Sequence, residues 1–155
     1  MKYHHTYSLM DVMMADPIKP MPDHKREHQI KKMKNGLLAL ERAAYPTIHD
    51  WEIVTDALNM METLIEMGWA KDPDGLIEDA VKALAIAGQR SIAKNVPIRL
   101  DGVGIKTVRG LLEDYETALK EMPERTMMHC HRKTEKRVQD ILAGRCETHD
   151  VQVTK

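Results

Sequence analysis

His24, Glu27 and His28 stand in the order H-x-x-E-H, at the start of a stretch with helical character. Histidines four positions apart share one helix face and can grip a zinc ion together. A zinc site also needs a third ligand and a cleft that excludes water. Here the surroundings are almost all charged, with Ile30 the first apolar residue, so these residues read as a solvated polar turn. Cys130 and His131, with Cys146 and His149, form a second set of suitable ligand types. If 127–143 is helical, Cys130 and Cys146 lie about 24 Å apart along its axis, at 1.5 Å per residue. One chain cannot close a tetrahedral site over that distance; ligands shared across a dimer would be required. His131 falls on an apolar stripe and reads as a core histidine. No Ser-His-Asp or Cys-His arrangement is supported. No metal, cofactor or catalytic residue is assigned, and the expectation is a protein without enzymatic activity.

The sharpest local signal is Leu100-Asp101-Gly102-Val103-Gly104-Ile105-Lys106-Thr107-Val108-Arg109-Gly110-Leu111-Leu112. It resembles the second half of a helix-hairpin-helix motif. In that family two glycines let backbone N–H groups approach a DNA phosphate at a helix N-terminus. The resemblance implies phosphate binding by Gly102 and Gly104, with Lys106 and Arg109 adding charge. It covers about 13 residues of the chain. The family also needs a helix directly before the hairpin, whereas Pro97 makes 96–100 extended. The alternative is a glycine-rich helix start capped by Asp101.

These residues need elements to position them, and apolar periodicity predicts helices almost throughout. Residues 1–22 read as an irregular arm, because Pro17, Pro20 and Pro22 forbid a helix interior. Met10, Val12, Met13 and Met14 equip that arm to pack on the domain or on a neighbour. A first helix runs from Asp23, as N-cap, to about Ala43, with the stripe Ile30, Met33, Leu37, Leu40. Thr47 and Asp50 form a capping box for a second, with the stripe Trp51, Val54, Leu58, Met61, Ile65 and an end at Gly68. A third spans about 74–94, its face built from Ile77, Val81, Leu84, Ala85 and Ile92. Asp101 caps a fourth, striped by Val108, Leu112, Tyr115, Leu119 and Met122. The register then slips by one at Pro123. Met127, His131, Thr134, Val138 and Ile141 define a fifth helix that ends at Gly144. Residues 145–155 form a polar tail. The fold class is an all-α bundle of about five helices over 23–144, with a kinked or hairpinned C-terminal helical pair.

The chain has 155 residues, 12 methionines, no phenylalanine and a formal net charge of -1, which suits one domain with an adaptable core. A near-neutral total exerts no strong field on nucleic acid or membranes. Two cysteines make no disulfide framework, no signal peptide is visible and no membrane-length apolar run occurs, so a cytoplasmic location is expected. Charge is nevertheless segregated. The second helix carries Asp50, Glu52, Asp56, Glu62 and Glu66 without a cation, and the fifth is rich in Arg132, Lys133, Lys136 and Arg137. Such helices can attract each other within a chain, or supply complementarity to a partner. The opposed charges and the methionine-rich arm also suit a homodimer.

The order of elements resembles a family of small helical proteins encoded by bacteriophages and prophages of proteobacteria. The similar pieces are the Ile30–Leu40 helix, the helix containing DALNMMETLIEMG, the Ala80–Ala93 helix, the PIRL link and the charged C-terminal helices. The family brings no catalytic residues. The resemblance implies a bacterial host cell and a protein that binds and inhibits a host or defence complex, as anti-CRISPR proteins do. A nucleic-acid-binding regulator using the Gly-Val-Gly segment and the basic last helix is the alternative.

Overall fold

The computed structural model describes residues 5–144. Its elements are α1 (Leu9–Met14), α2 (Asp23–Arg42), α3 (Ile48–Glu66), α4 (Leu76–Lys94), α5 (Gly102–Glu121) and α6 (Glu124–Leu142), and no strand occurs among the described residues. The fold is an all-α bundle. The polar tail, with Cys146 and His149, lies outside the described residues.

The bundle is organised around α3, which packs against α2, α4, α5 and α6. This helix is the one suited to the centre. Val54, Leu58, Met61 and Leu64 are essentially inaccessible, and Ala57 and Met60 extend the buried face around it. A helix apolar around most of its circumference must be covered on several sides. The α2 stripe Ile30, Met33, Leu37, Leu40 and the α5 stripe Val108, Leu112, Tyr115, Leu119, Met122 are buried as their spacing predicts.

Helix boundaries follow local chemistry. The Thr47 hydroxyl accepts the Asp50 N–H at 3.1 Å while the Asp50 carboxylate accepts the Thr47 N–H at 2.8 Å, which is the expected capping box. At the start of α4 the Asp72 carboxylate takes the N–H groups of Leu76 and Ile77. Asn95 ends α4 in the left-handed conformation, at φ 51°. Trp51 donates its indole N–H to the Leu84 carbonyl at 2.8 Å, and a Cβ on Gly88 would meet its ring at 3.1 Å, so glycine allows α3 and α4 this close approach.

Four sequence expectations need correction. The arm is not wholly irregular: Ser8 and Asp11 form a second capping box, and α1 follows it. Asp23 is not the N-cap of α2; Pro22 holds that place, and Asp23 pairs with Arg26 inside the first turn at 2.7 Å. Ile92 is exposed, because the buried positions Ala80, Leu84 and Ala87 carry the register on to Ser91, whose hydroxyl donates to the Val96 carbonyl. On α6 the face toward α3 is Met127, Cys130, Thr134 and Arg137, with Cys130 where His131 was expected. The chain does break at Pro123, where Met122 and Pro123 are both extended.

The α3–α6 seam is unusually polar. The Thr63 and Thr134 hydroxyls are buried and 2.6 Å apart, and Thr134 lies 2.8 Å from the Cys130 carbonyl. Each hydroxyl has one proton, so the shortest consistent chain runs Thr63 to Thr134 to the carbonyl. Beside it, the fully buried Cys130 thiol lies 3.8 Å from the Met60 carbonyl. Burial pushes that thiol up to about 11, so little reactive thiolate exists at neutral pH. In a Cys146→Ser variant, we expect a thiol reagent at pH 8 to leave Cys130 unmodified until denaturant unfolds the chain. Rapid native labelling would contradict the buried α3–α6 seam.

Candidate interaction surface

The charged helices were the first candidates for a partner surface, and much of their charge is used inside the molecule. Arg137 of α6 reaches Glu62 at 3.3 Å and Glu66 at 3.5 Å, and it donates to the Asn59 carbonyl at 2.8 Å. Glu62 is 8% exposed, so this pair is desolvated rather than a surface bridge. Asp50 is engaged in its capping box. Arg132 donates to the Tyr7 carbonyl at 2.6 Å, which places it under the N-terminal arm. Glu52, Asp56, Lys133 and Lys136 remain exposed. Shielding by the surrounding protein, reinforced by the Glu52 carboxylate, pushes the Asp56 carboxyl above its ordinary value. The acidic and basic helices thus attract each other within the chain.

Gly102 and Gly104 do form a helix start, but its anion position is filled. The Asp101 carboxylate accepts the Gly104 N–H at 2.6 Å, and Gly104 is buried where a Cβ would meet Asp101 and Ala83. Arg109 pairs with Glu41, and Lys106 is exposed. The preceding segment is an extended link, so hairpin geometry is missing. His24, Glu27 and His28 are all exposed on the first turns of α2. Among the described residues no three His, Cys, Asp or Glu side chains gather as metal ligands. His131 is half-buried beneath the arm, with its ring edge-on to Tyr7 at 5.2 Å between centroids. No described helix is long and apolar enough to cross a membrane.

The arm itself is the feature the sequence reading underestimated. It is fixed on α6 largely through its backbone. Arg125 donates to the Val12 and Met13 carbonyls at 3.1 and 2.8 Å, and the Glu135 carboxylate accepts both the Thr6 N–H and its hydroxyl at 2.9 Å. In return, the Asp16 and Lys19 carbonyls accept N–H groups of Arg125 and Glu124 at the start of α6, which has no side-chain cap. Those N–H groups would otherwise lack partners. Among the described residues of the arm only Ala15 and Met21 are buried; α1 buries none of its six residues. Leu9, Met10, Met13 and Met14 therefore point to solvent, joined by Ile18 at 80% exposure. The signal available in the sequence was the Ser8–Asp11 spacing, an S-x-x-D capping pattern before an apolar run.

Glu135 makes this attachment sensitive to acid. Burial opposes its charge, but hydrogen bonds from Thr6 and His131 outweigh that and hold its carboxyl below the ordinary carboxylate value. A lowered folded value means the stabilisation is present above the unfolded pKa, near 4.5, and is lost as pH falls through the folded one. We expect amides at 6–14 to be protected from hydrogen exchange at neutral pH and their protection, relative to the intrinsic rate at each pH, to fall below pH 4.5. Glu135→Gln should expose the same amides at neutral pH and flatten that response. Equal protection in both proteins would contradict the latch.

No family model matches the chain, and no curated protein or solved structure does either.

Proposed function

We propose that the protein acts without catalysis, by binding another protein through the outward face of its N-terminal arm. The observation that carries this reading is α1. Four of its six residues are exposed Leu or Met, none is buried, and the arm is held from behind by polar groups of α6. An isolated six-residue helix is not stable in water, so the contacts from α6 maintain it. Keeping flexible, polarisable methionines at the surface suits docking on a complementary apolar surface, where exposed apolar patches mark interaction sites.

The resemblance to phage-encoded proteins directs the proposal further. The partner is then a host or defence-system complex, and occupying its surface inhibits it, in the manner of anti-CRISPR proteins. The basic and acidic helices serve mainly to build the scaffold that presents the arm. With Asp101 seated at the α5 N-terminus, nothing specific favours phosphate binding there.

Affinity capture from a proteobacterial lysate tests this reading. The wild-type chain is expected to retain specific proteins. A Met10→Ser, Met13→Ser, Met14→Ser variant should keep its stability within about 0.5 kcal/mol, since exposed positions rarely matter more, and should retain those proteins at least about tenfold less, as loss of apolar anchors implies. Undiminished capture by the variant, or none by the wild type, would sink the proposal.

A further inference from the structure

The bundle end opposite in role to the arm carries its own surface. There the α2–α3 link (43–47) and the α4–α5 link (95–101) lie side by side. Arg99 joins them, donating to the Ala43 carbonyl and, at 3.1 Å, to the Ala44 carbonyl. Arg90 donates to the Arg99 carbonyl at 2.6 Å, Arg109 pairs with Glu41, and Arg42 approaches the same carboxylate at 3.6 Å. Four guanidinium groups are thus tied into one cluster, and Lys106 stands one turn before Arg109 on α5.

Segments 41–50 and 90–109 hold six cations, Arg42, Arg90, Lys94, Arg99, Lys106 and Arg109, against three carboxylates. Each carboxylate is engaged: Glu41 with two arginines, Asp50 and Asp101 as helix caps. This end is therefore net positive on a chain whose total is -1. The contacts described use one nitrogen of each guanidinium. They hold Arg90, Arg99 and Arg109 in place, with Arg42 looser beside Glu41, and leave further donors of each five-donor fork for a ligand. Around the cations stand exposed apolar side chains: Tyr45 at 84%, Val103 at 77%, Ile48 at 58% and Leu38 at 49% exposure.

We infer that this end of the bundle is a docking surface for an acidic protein segment that carries apolar residues among its carboxylates. Positioned guanidiniums engage carboxylates in bidentate pairs, and arginine with tyrosine forms the usual energetic centre of protein interfaces. The ring of Ile, Leu and Val side chains decides between partner classes. A phosphate backbone has no use for them, a base-stacking platform needs more than one aromatic, and Asp101 already occupies the helix start that a phosphate would seek. The inference stands on residues separate from the arm, so either surface can fail alone.

Fluorescence anisotropy with a short labelled peptide of Glu, Asp and Leu tests it, against a Lys-for-acid version of that peptide and labelled single- and double-stranded DNA. At about 50 mM salt, where exposed charges are weakly screened, the acidic peptide should bind and the basic one should not. Binding should weaken at least about tenfold in Arg42→Glu, Lys106→Glu, as lost charge complementarity implies. Both sites are exposed, and circular dichroism checks that the variant folds. Lys25→Glu, Lys31→Glu changes charge equally on the first half of α2 and should bind within about twofold of wild type, since those charges lie beyond screening distance of the site. Tyr45→Ser should also weaken binding. The inference is overturned if the acidic peptide fails to bind, if both charge reversals weaken it equally, or if DNA binds more tightly than the peptide.

Discussion

The contact between Arg137 and the α3 carboxylates decides whether α6 belongs to the bundle. This helix is mostly polar and buries only Met127, Cys130 and Thr134. Fully burying an apolar side chain contributes about 1.5–3 kcal/mol, whereas ordering a residue's backbone costs about 1–2 kcal/mol. Three buried side chains therefore cannot by themselves order a helix of 19 residues. The intrahelical hydrogen bonds help, but the seam needs specific polar attachments. Arg137 supplies them at one end through Glu62, Glu66 and the Asn59 carbonyl, and the Thr63–Thr134 hydroxyl pair supplies another at the middle. Removing Arg137 from beside the nearly buried Glu62 would take away a counter-charge that offsets its desolvation, which matches the two helices to each other.

A hierarchy follows. The helix α3 is held by apolar packing on several sides, α6 is held on α3 by a mixed seam, and the arm is held on α6 by backbone hydrogen bonds. Each layer buries less apolar surface than the one before, and local stability should fall in that order. The arm and α6 are also reciprocal: Arg125 and Glu135 fix the arm, and arm carbonyls satisfy the first N–H groups of α6. A weakly held outer element displaying methionines fits adaptation to a partner. The arginine cluster at the link end is the opposite kind of surface, rigidly pinned and polar with an apolar rim.

The core of this fold was legible because its information is local and periodic. The α2 and α5 stripes, the Thr47–Asp50 box and the stop at Asn95 each follow from spacing or from one residue's conformational preference. What escaped was information carried between elements. The slip from His131 to Cys130 on α6 depends on where Glu62 waits for Arg137. The capping box that starts α1 was written in Ser8 and Asp11, but three nearby prolines suggested an irregular arm. The segregated charge of α3 and α6 was visible; that it would be satisfied internally required knowing that the two helices touch. The Arg42–Arg109 cluster was invisible for the same reason, since its members sit on α2, α4, α5 and the α4–α5 link, far apart in sequence.

The account turns on the claim that α6 is fastened to α3 by the Glu62–Arg137 pair. A double-mutant cycle of Glu62→Gln and Arg137→Met, read by denaturant unfolding, measures that coupling directly. The account predicts that each single change destabilises, that the double change costs less than their sum, and that the interaction energy is about 1–3 kcal/mol. Additivity within about 0.5 kcal/mol, the behaviour of independent sites, would contradict it.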